Sequence, residues 1–202
     1  MVSGLLSLHC NSLKSIAIVD GDAFYCFKMT RWHKLKHGIL MFMRIIVNNL
    51  IETQNIAAQL ARLIQPGDTV LLDGELGAGK TTFTQGFARE LGIKRPLKSP
   101  TFTLVREYTT SAFRLYHLDV YRLGESSDDE LGLEDYFTPD SVAFVEWSQY
   151  ISSILPQDAL RITLRRLDND LDANKRMIEF EATGIRSVAL LAELKGIISN
   201  GN

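Results

Sequence analysis

Cysteine is scarce. Only Cys10 and Cys26 occur in 202 residues, both near the N-terminus. They form no Cys-x-x-Cys pair, and no Cys/His cluster has zinc spacing. A zinc ribbon and a disulfide-stapled scaffold are therefore excluded. Long apolar runs are lacking too. The longest, Ile39 to Val47, is interrupted by Arg44 and is far too short to span a bilayer, so no membrane association is expected. The opening MVSGLLSLHC has neither a charged n-region nor a proper apolar core, and no secretory signal is read from it. Neither charge dominates: 22 basic against 24 acidic residues give a net charge of −2. That excludes a highly basic nucleic-acid coat. Five prolines and 14 glycines without a period exclude a collagen. What remains is 46% apolar and 23% charged, the mixture of a soluble globular protein. Its cysteine-poor composition points to the cytoplasm.

The charge is unevenly placed. Residues 1–44 carry a net +4, from Lys14, Lys28, Arg31, Lys34, Lys36 and Arg44 against Asp20 and Asp22, and the remainder carries −6. Residues 1–42 show no sustained hydrophobic period. They read as an N-terminal extension, poorly ordered or translated from a start codon set too early, with the domain proper at 43–202.

From Asn49 the pattern becomes regular. Asn49 stands three residues before Glu52, a variant of the helix-start box, and Ile56, Leu60, Leu63 and Ile64 follow at helical spacing. Pro66-Gly67-Asp68 ends that helix. Thr69 to Asp73 reads as a buried strand, Gly74 to Gly79 as a glycine-rich loop, and Lys80 to Leu91 as a helix stopped by Gly92. Strands are predicted over Thr101 to Tyr108, Phe113 to Val120 and Ser141 to Trp147. Two more, Leu160 to Leu164 and Met177 to Ala182, suggest a hairpin. Ser127-Asp-Asp-Glu130 is a capping box that predicts a short acidic helix ending near Phe137, and Ile185 to Ile198 predicts a closing helix. Interleaved helices and strands imply an α/β fold: a mostly parallel central sheet, helices on both faces, and antiparallel late strands.

The strongest signal is Gly74-Glu-Leu-Gly-Ala-Gly79-Lys80-Thr81, the G-x-x-x-x-G-K-[ST] phosphate loop, or Walker A motif, of P-loop NTPases. Its glycines let backbone amides turn toward phosphate oxygens, and the following helix presents its positive N-terminus. Lys80 adds a full charge, and the Thr81 hydroxyl suits Mg²⁺. In a chain of this length the four fixed positions match by chance about 1% of the time. The motif also sits between a predicted strand and a predicted helix, as the mechanism requires. Asp119 and Glu146 each close a predicted strand, where ligands of open α/β sheets bind. His117 reads as a structural histidine, and Asp73 as a solvated strand-end acid. The guanine signature N/T-K-x-D is missing, since Asn174-Lys175 is followed by Arg176-Met177. ATP is therefore favoured over GTP. Asp129 to Gly132 forms a D-x-x-G string, but it lies in the acidic segment rather than after a buried strand.

The run 74–83, GELGAGKTTF, resembles the P-loop of the TsaE (YjeE) family, bacterial ATPases of tRNA threonylcarbamoyladenosine biosynthesis. Four further blocks match that family in order and spacing: Lys98-Ser-Pro-Thr-Phe-Thr103, Tyr116 to Leu123, Leu131 to Phe137, and Val145-Glu-Trp147. The resemblance covers about residues 44–195. It implies that Gly77, Ala78, Gly79, Lys80, Thr81 and Thr82 hold the ATP phosphates, and that Thr53 lies near the adenine. Thr81 and Glu146 would ligate Mg²⁺, and Asp119 would serve hydrolysis with Lys80. Residues 98–103 would be a switch loop beside the γ-phosphate. The implied activity is ATP hydrolysis, slow alone and stimulated by a TsaB–TsaD heterodimer, with tRNA engaged indirectly. For Arg165 and Arg176 the family pattern is too loose to assign a role, and no arginine finger is evident, though Arg106 and Arg122 are available. Two other readings of the motifs stay open: a small-molecule kinase and a non-hydrolysing ATP sensor. A basic patch at Lys94, Arg95 and Lys98 reads as a solvated loop rim or as an RNA contact.

Overall fold

A computed structural model describes residues 15–20, 23–28, 40–94, 100, 103–124, 131–167 and 174–200. The elements, in chain order, are β1 (Ser15–Asp20), β2 (Ala23–Lys28), β3 (Met41–Val47), α1 (Leu50–Leu63), β4 (Thr69–Gly74), α2 (Lys80–Glu90), β5 (Val105–Thr109), β6 (Arg114–Asp119), β7 (Ser141–Glu146), β8 (Leu160–Arg166), β9 (Arg176–Ala182) and α3 (Ile185–Asn200). The strands form one sheet in the order β1-β2-β3-β9-β8-β4-β7-β6-β5. Its centre, β8-β4-β7-β6, is parallel. The flanking pairs are antiparallel, including the expected β8–β9 hairpin.

Alternation sorts the side chains between two faces. Val70 and Leu72, Leu115, Val142 and Phe144, Leu160, Ile162 and Leu164, and Ile178 and Phe180 point to one face, where they pack with α1, α2 and α3. Phe83, Phe87 and Phe144 are fully buried there, and the Phe87 and Phe144 ring centres lie 5.0 Å apart. Each such side chain contributes about 1.5–3 kcal/mol relative to exposure. The opposite face carries Leu71, Tyr116, Leu118 and Val145 and is covered by short 3-10 turns at Leu133–Tyr136 and Ser148–Ile151. Helical cover therefore differs by face, with α-helices on one and single turns on the other.

Several sequence expectations hold in detail. Asn49 caps α1, its side chain accepting from the Glu52 amide at 2.9 Å. Glu52 reaches back to the Asn48 amide at 2.7 Å rather than to that of Asn49, which is the variant in the box. The acidic segment differs: residues 125–130, with the capping box, lie outside the described residues, and Leu133–Tyr136 is a single 3-10 turn. The first predicted mid-chain strand is displaced, running from Val105 to Thr109. The sequence pattern does not predict β3. Met41, Met43, Ile45 and Val47 are buried in alternation and pair with β9. Phe42 and Ile46 on the other face are also apolar, which hides the period of two.

Candidate functional site

β4 lies inside the parallel part of the sheet, between β8 and β7. Its carboxyl end delivers the chain into the glycine loop and then into α2. Gly74 has φ +140°, and a Cβ there would collide with the Leu164 carbonyl on β8, so the loop leaves the sheet through a gap that admits no side chain. Gly79 is the N-cap of α2 in the left-handed region, and no side chain caps that helix. The first-turn amides of α2 thus point into the loop, the arrangement that binds anions.

Glu146 ends β7, the neighbour of β4, in register with Leu72. Asp119 ends β6, in register with Glu146. Strand order alone therefore brings both acids to the loop. They line one cleft of about 390 Å³ together with Gly77, Gly79, Lys80, Thr81 and Thr82. Tyr121 and Trp147 wall it, their ring centres 4.8 Å apart. Ala78 is buried within the loop. Thr53 does not line this cleft. It is buried in the first turn of α1, its hydroxyl donating to the Asn49 carbonyl at 3.2 Å. That turn still lies at the loop end of the sheet, because β3 finishes at Val47 opposite Arg176. The proposed switch segment 98–103 lies outside the described residues except for Pro100 and Thr103, as do Arg95 and Lys98 of the basic patch.

Lys80 is folded onto its own loop. Its ammonium donates to the carbonyls of Gly74 at 2.7 Å and Glu75 at 3.0 Å and lies 3.8 Å from the centre of the Trp147 ring. Burial lowers its pKa from the ordinary lysine value, against the opposing pull of Glu146, Asp119 and Asp73. The Asp119 carboxylate accepts from the Tyr121 amide at 3.1 Å, which fixes one of its oxygens.

Asp73 differs from its sequence reading, and His117 and Arg176 make contacts that the sequence does not show. Asp73 is not solvated: it is buried, accepts from the Ser148 amide at 2.8 Å and from the Ser148 hydroxyl, and pairs with Arg161. Its side chain points to the face opposite α2, as alternation from Leu72 requires. His117 is buried as expected of a structural histidine, yet it touches the site, with Nε2 3.0 Å from Glu146 Oε1. Arg176 is buried and donates from Nε to the Ala78 carbonyl at 2.9 Å, bracing the loop from β9, whereas Arg165 pairs with Glu179 at 2.7 Å. No local signal marked Arg176, because its partner lies 98 positions away.

Among the described residues no group of three or more His, Cys, Asp or Glu side chains is placed to hold a metal. A hydroxyl and a carboxylate beside a phosphate cradle suit Mg²⁺, which takes one or two side-chain ligands and completes its shell with phosphates and water. Thr81 and Glu146 in one cleft fit that requirement.

A parallel-centred sheet with a glycine-lysine-threonine loop at the carboxyl end of an inner parallel strand defines the P-loop α/β fold class. Residues 47–178 match the family described as threonylcarbamoyl adenosine biosynthesis protein TsaE. The tRNA threonylcarbamoyladenosine biosynthesis protein TsaE of Bacillus subtilis is 48% identical over 143 residues, covering 71% of this chain and 87% of that one. Its counterpart in Treponema pallidum is 37% identical over 126 residues, covering 62% and 93%. The crystal structure of Bacillus subtilis YdiB superposes with a TM-score of 0.66 at 40% identity, covering 78% of this chain and 96% of that one. The chain belongs to the TsaE family of tRNA threonylcarbamoyladenosine biosynthesis proteins. Among the described residues no helix is long and apolar enough to cross a membrane.

Proposed function

We propose that this protein binds and hydrolyses ATP with Mg²⁺, and that it does so as an accessory to a TsaB–TsaD complex that modifies adenosine 37 of tRNA. The observation that supports this most is that Lys80, Thr81, Asp119 and Glu146 line one cleft. Lys80 would leave the Gly74 and Glu75 carbonyls for the β- and γ-phosphate oxygens, exchanging neutral acceptors for charged ones. Gly77, Ala78, Gly79 and Thr82 would contribute backbone amides to the phosphates. Thr81 and Glu146 would hold Mg²⁺, whose charge offsets that developing on the phosphate oxygens. Asp119, with one oxygen fixed by the Tyr121 amide, would orient the attacking water. The first turn of α1, which carries the buried Thr53, would flank the base.

Catalysis of this kind is positioning plus electrostatics. Slow hydrolysis by the isolated chain and faster hydrolysis with its partners is the expected behaviour. The γ-phosphate and its metal can hold a loop in one state until cleavage releases it, which gives a cycle of assembly and reset. The test is phosphate release measured with the chain alone and with a TsaB–TsaD pair. Stimulation by the pair, lost in Asp119→Ala while ATP binding persists, supports the reading. No phosphate release under either condition points instead to an ATP sensor. Release only on adding a small acceptor points to a kinase.

A further inference from the structure

His117 lies on β6 and Glu146 on β7, diagonal neighbours in a parallel pair whose register sets His117 beside Phe144 and Asp119 beside Glu146. Alternation puts both side chains on the α2 face. Both are almost fully buried, at 1% and 2% exposure, so a bond between them is not diluted by water. Nε2 stands 3.0 Å from Glu146 Oε1. A carboxylate only accepts, so Nε2 carries the hydrogen. Nδ1 is buried without a partner, and a bare lone pair there costs less than an unsatisfied N–H. The ring is held edge-on by Phe144, with centres 5.9 Å apart. The nearest rival donor is the Thr84 hydroxyl, 3.5 Å from the same oxygen, but its proton goes to the Lys80 carbonyl at 2.9 Å. Among the described residues no donor reaches the other oxygen, Oε2, while Glu146 lines the cleft.

From this we infer that His117 is a positioning residue. It claims one oxygen of Glu146 and so aims the other at the metal that the carboxylate and Thr81 would share. The inference rests on the proposed reading of Glu146 as a Mg²⁺ ligand. Outer partners that orient a ligand in this way are worth about 10–100-fold in metal affinity.

The test uses the full chain and ADP, titrated with Mg²⁺ and, separately, in EDTA. His117→Phe fills the same space without the donor. It should raise the Mg²⁺ concentration at half-effect about tenfold or more while nucleotide affinity in EDTA stays within about twofold. His117→Gln places an amide nitrogen near the Nε2 position and should recover most of the loss. In a Glu146→Ala background, His117→Phe should add nothing. An unchanged Mg²⁺ dependence in His117→Phe overturns the inference, as does an equal loss of affinity in EDTA, which would mark a purely structural role. A second readout needs no variant: ¹⁵N chemical shifts of the His117 ring in the unmutated protein should show the Nε2–H tautomer. An Nδ1–H tautomer overturns the inference. If the unmutated chain binds ADP identically with and without Mg²⁺, the metal reading of Glu146 fails and takes this one with it. That outcome is distinct from a failure confined to the His117 variants.

Discussion

The Lys80 ammonium rests 3.8 Å from the centre of the Trp147 ring while donating to two carbonyls of its own loop. Such cation–ring contacts are worth about 0.5–2 kcal/mol. A polyphosphate offers a stronger acceptor and should draw the ammonium off the ring. We therefore expect saturable changes in Trp147 emission on adding ATP or ADP. The only other tryptophan is Trp32, so loss of the signal in Trp147→Phe assigns it. An unaltered Trp147 spectrum at saturating nucleotide would argue that Lys80 stays where it is.

The position of Trp147 is itself supported from below. Trp147 has φ +64°, an uncommon conformation for a residue with a bulky side chain. The next residue, Ser148, is tied to Asp73 by both its amide and its hydroxyl, and Arg161 closes the cluster. Asp73→Ala leaves these buried donors unpaired, and a loss of about 1–3 kcal/mol in urea unfolding is expected. A change within experimental error would show that the turn does not depend on this cluster.

The third helix carries a pH dependence. Asp158 accepts from the amides of Arg186 and Ser187, the first turn of α3. Burial pushes its pKa up, but the Ser187 and Arg186 hydrogen bonds and the Arg186 charge outweigh it, leaving the carboxyl below its ordinary value. A lowered carboxylate pKa gives stability that is present above the unfolded value and is lost as pH falls through the folded one. Asp158→Ala should cost about 1 kcal/mol near neutral pH, as cap removal usually does. The gap between variant and parent should close below the ordinary carboxylate range. A gap independent of pH would contradict this assignment.

The contact between the first two helices is set at Gly86. A Cβ there would lie 2.7 Å from both Cα and the carbonyl oxygen of Gln54, so backbone meets backbone. Gly86→Ala should force α1 and α2 apart and cost about 1–3 kcal/mol, despite the better helix propensity of alanine. Thermal unfolding measures it, and a stabilised variant would refute the close approach.

What could be read from the chain was local. The Asn49 cap, the glycine loop and the helix after it depend on residues within a few positions of one another. Asp119 and Glu146 are legible because strand ends are where an open sheet binds ligands, a rule that needs no tertiary contact. What escaped was set by pairing across the sheet. Asp73 finds Arg161 88 positions on, and His117 meets Glu146 only because β6 and β7 align in one register. β3 hid its alternation behind Phe42 and Ile46, two apolar side chains on its outer face.

In the proposed function the loop from Gly74 to Thr82 grips a nucleotide's phosphates. Isothermal titration of ATP with Mg²⁺ into the full chain tests it most directly. One site per chain is expected, abolished or weakened at least tenfold in Lys80→Ala. Absence of binding to the parent chain, or equal affinity in Lys80→Ala, would contradict it.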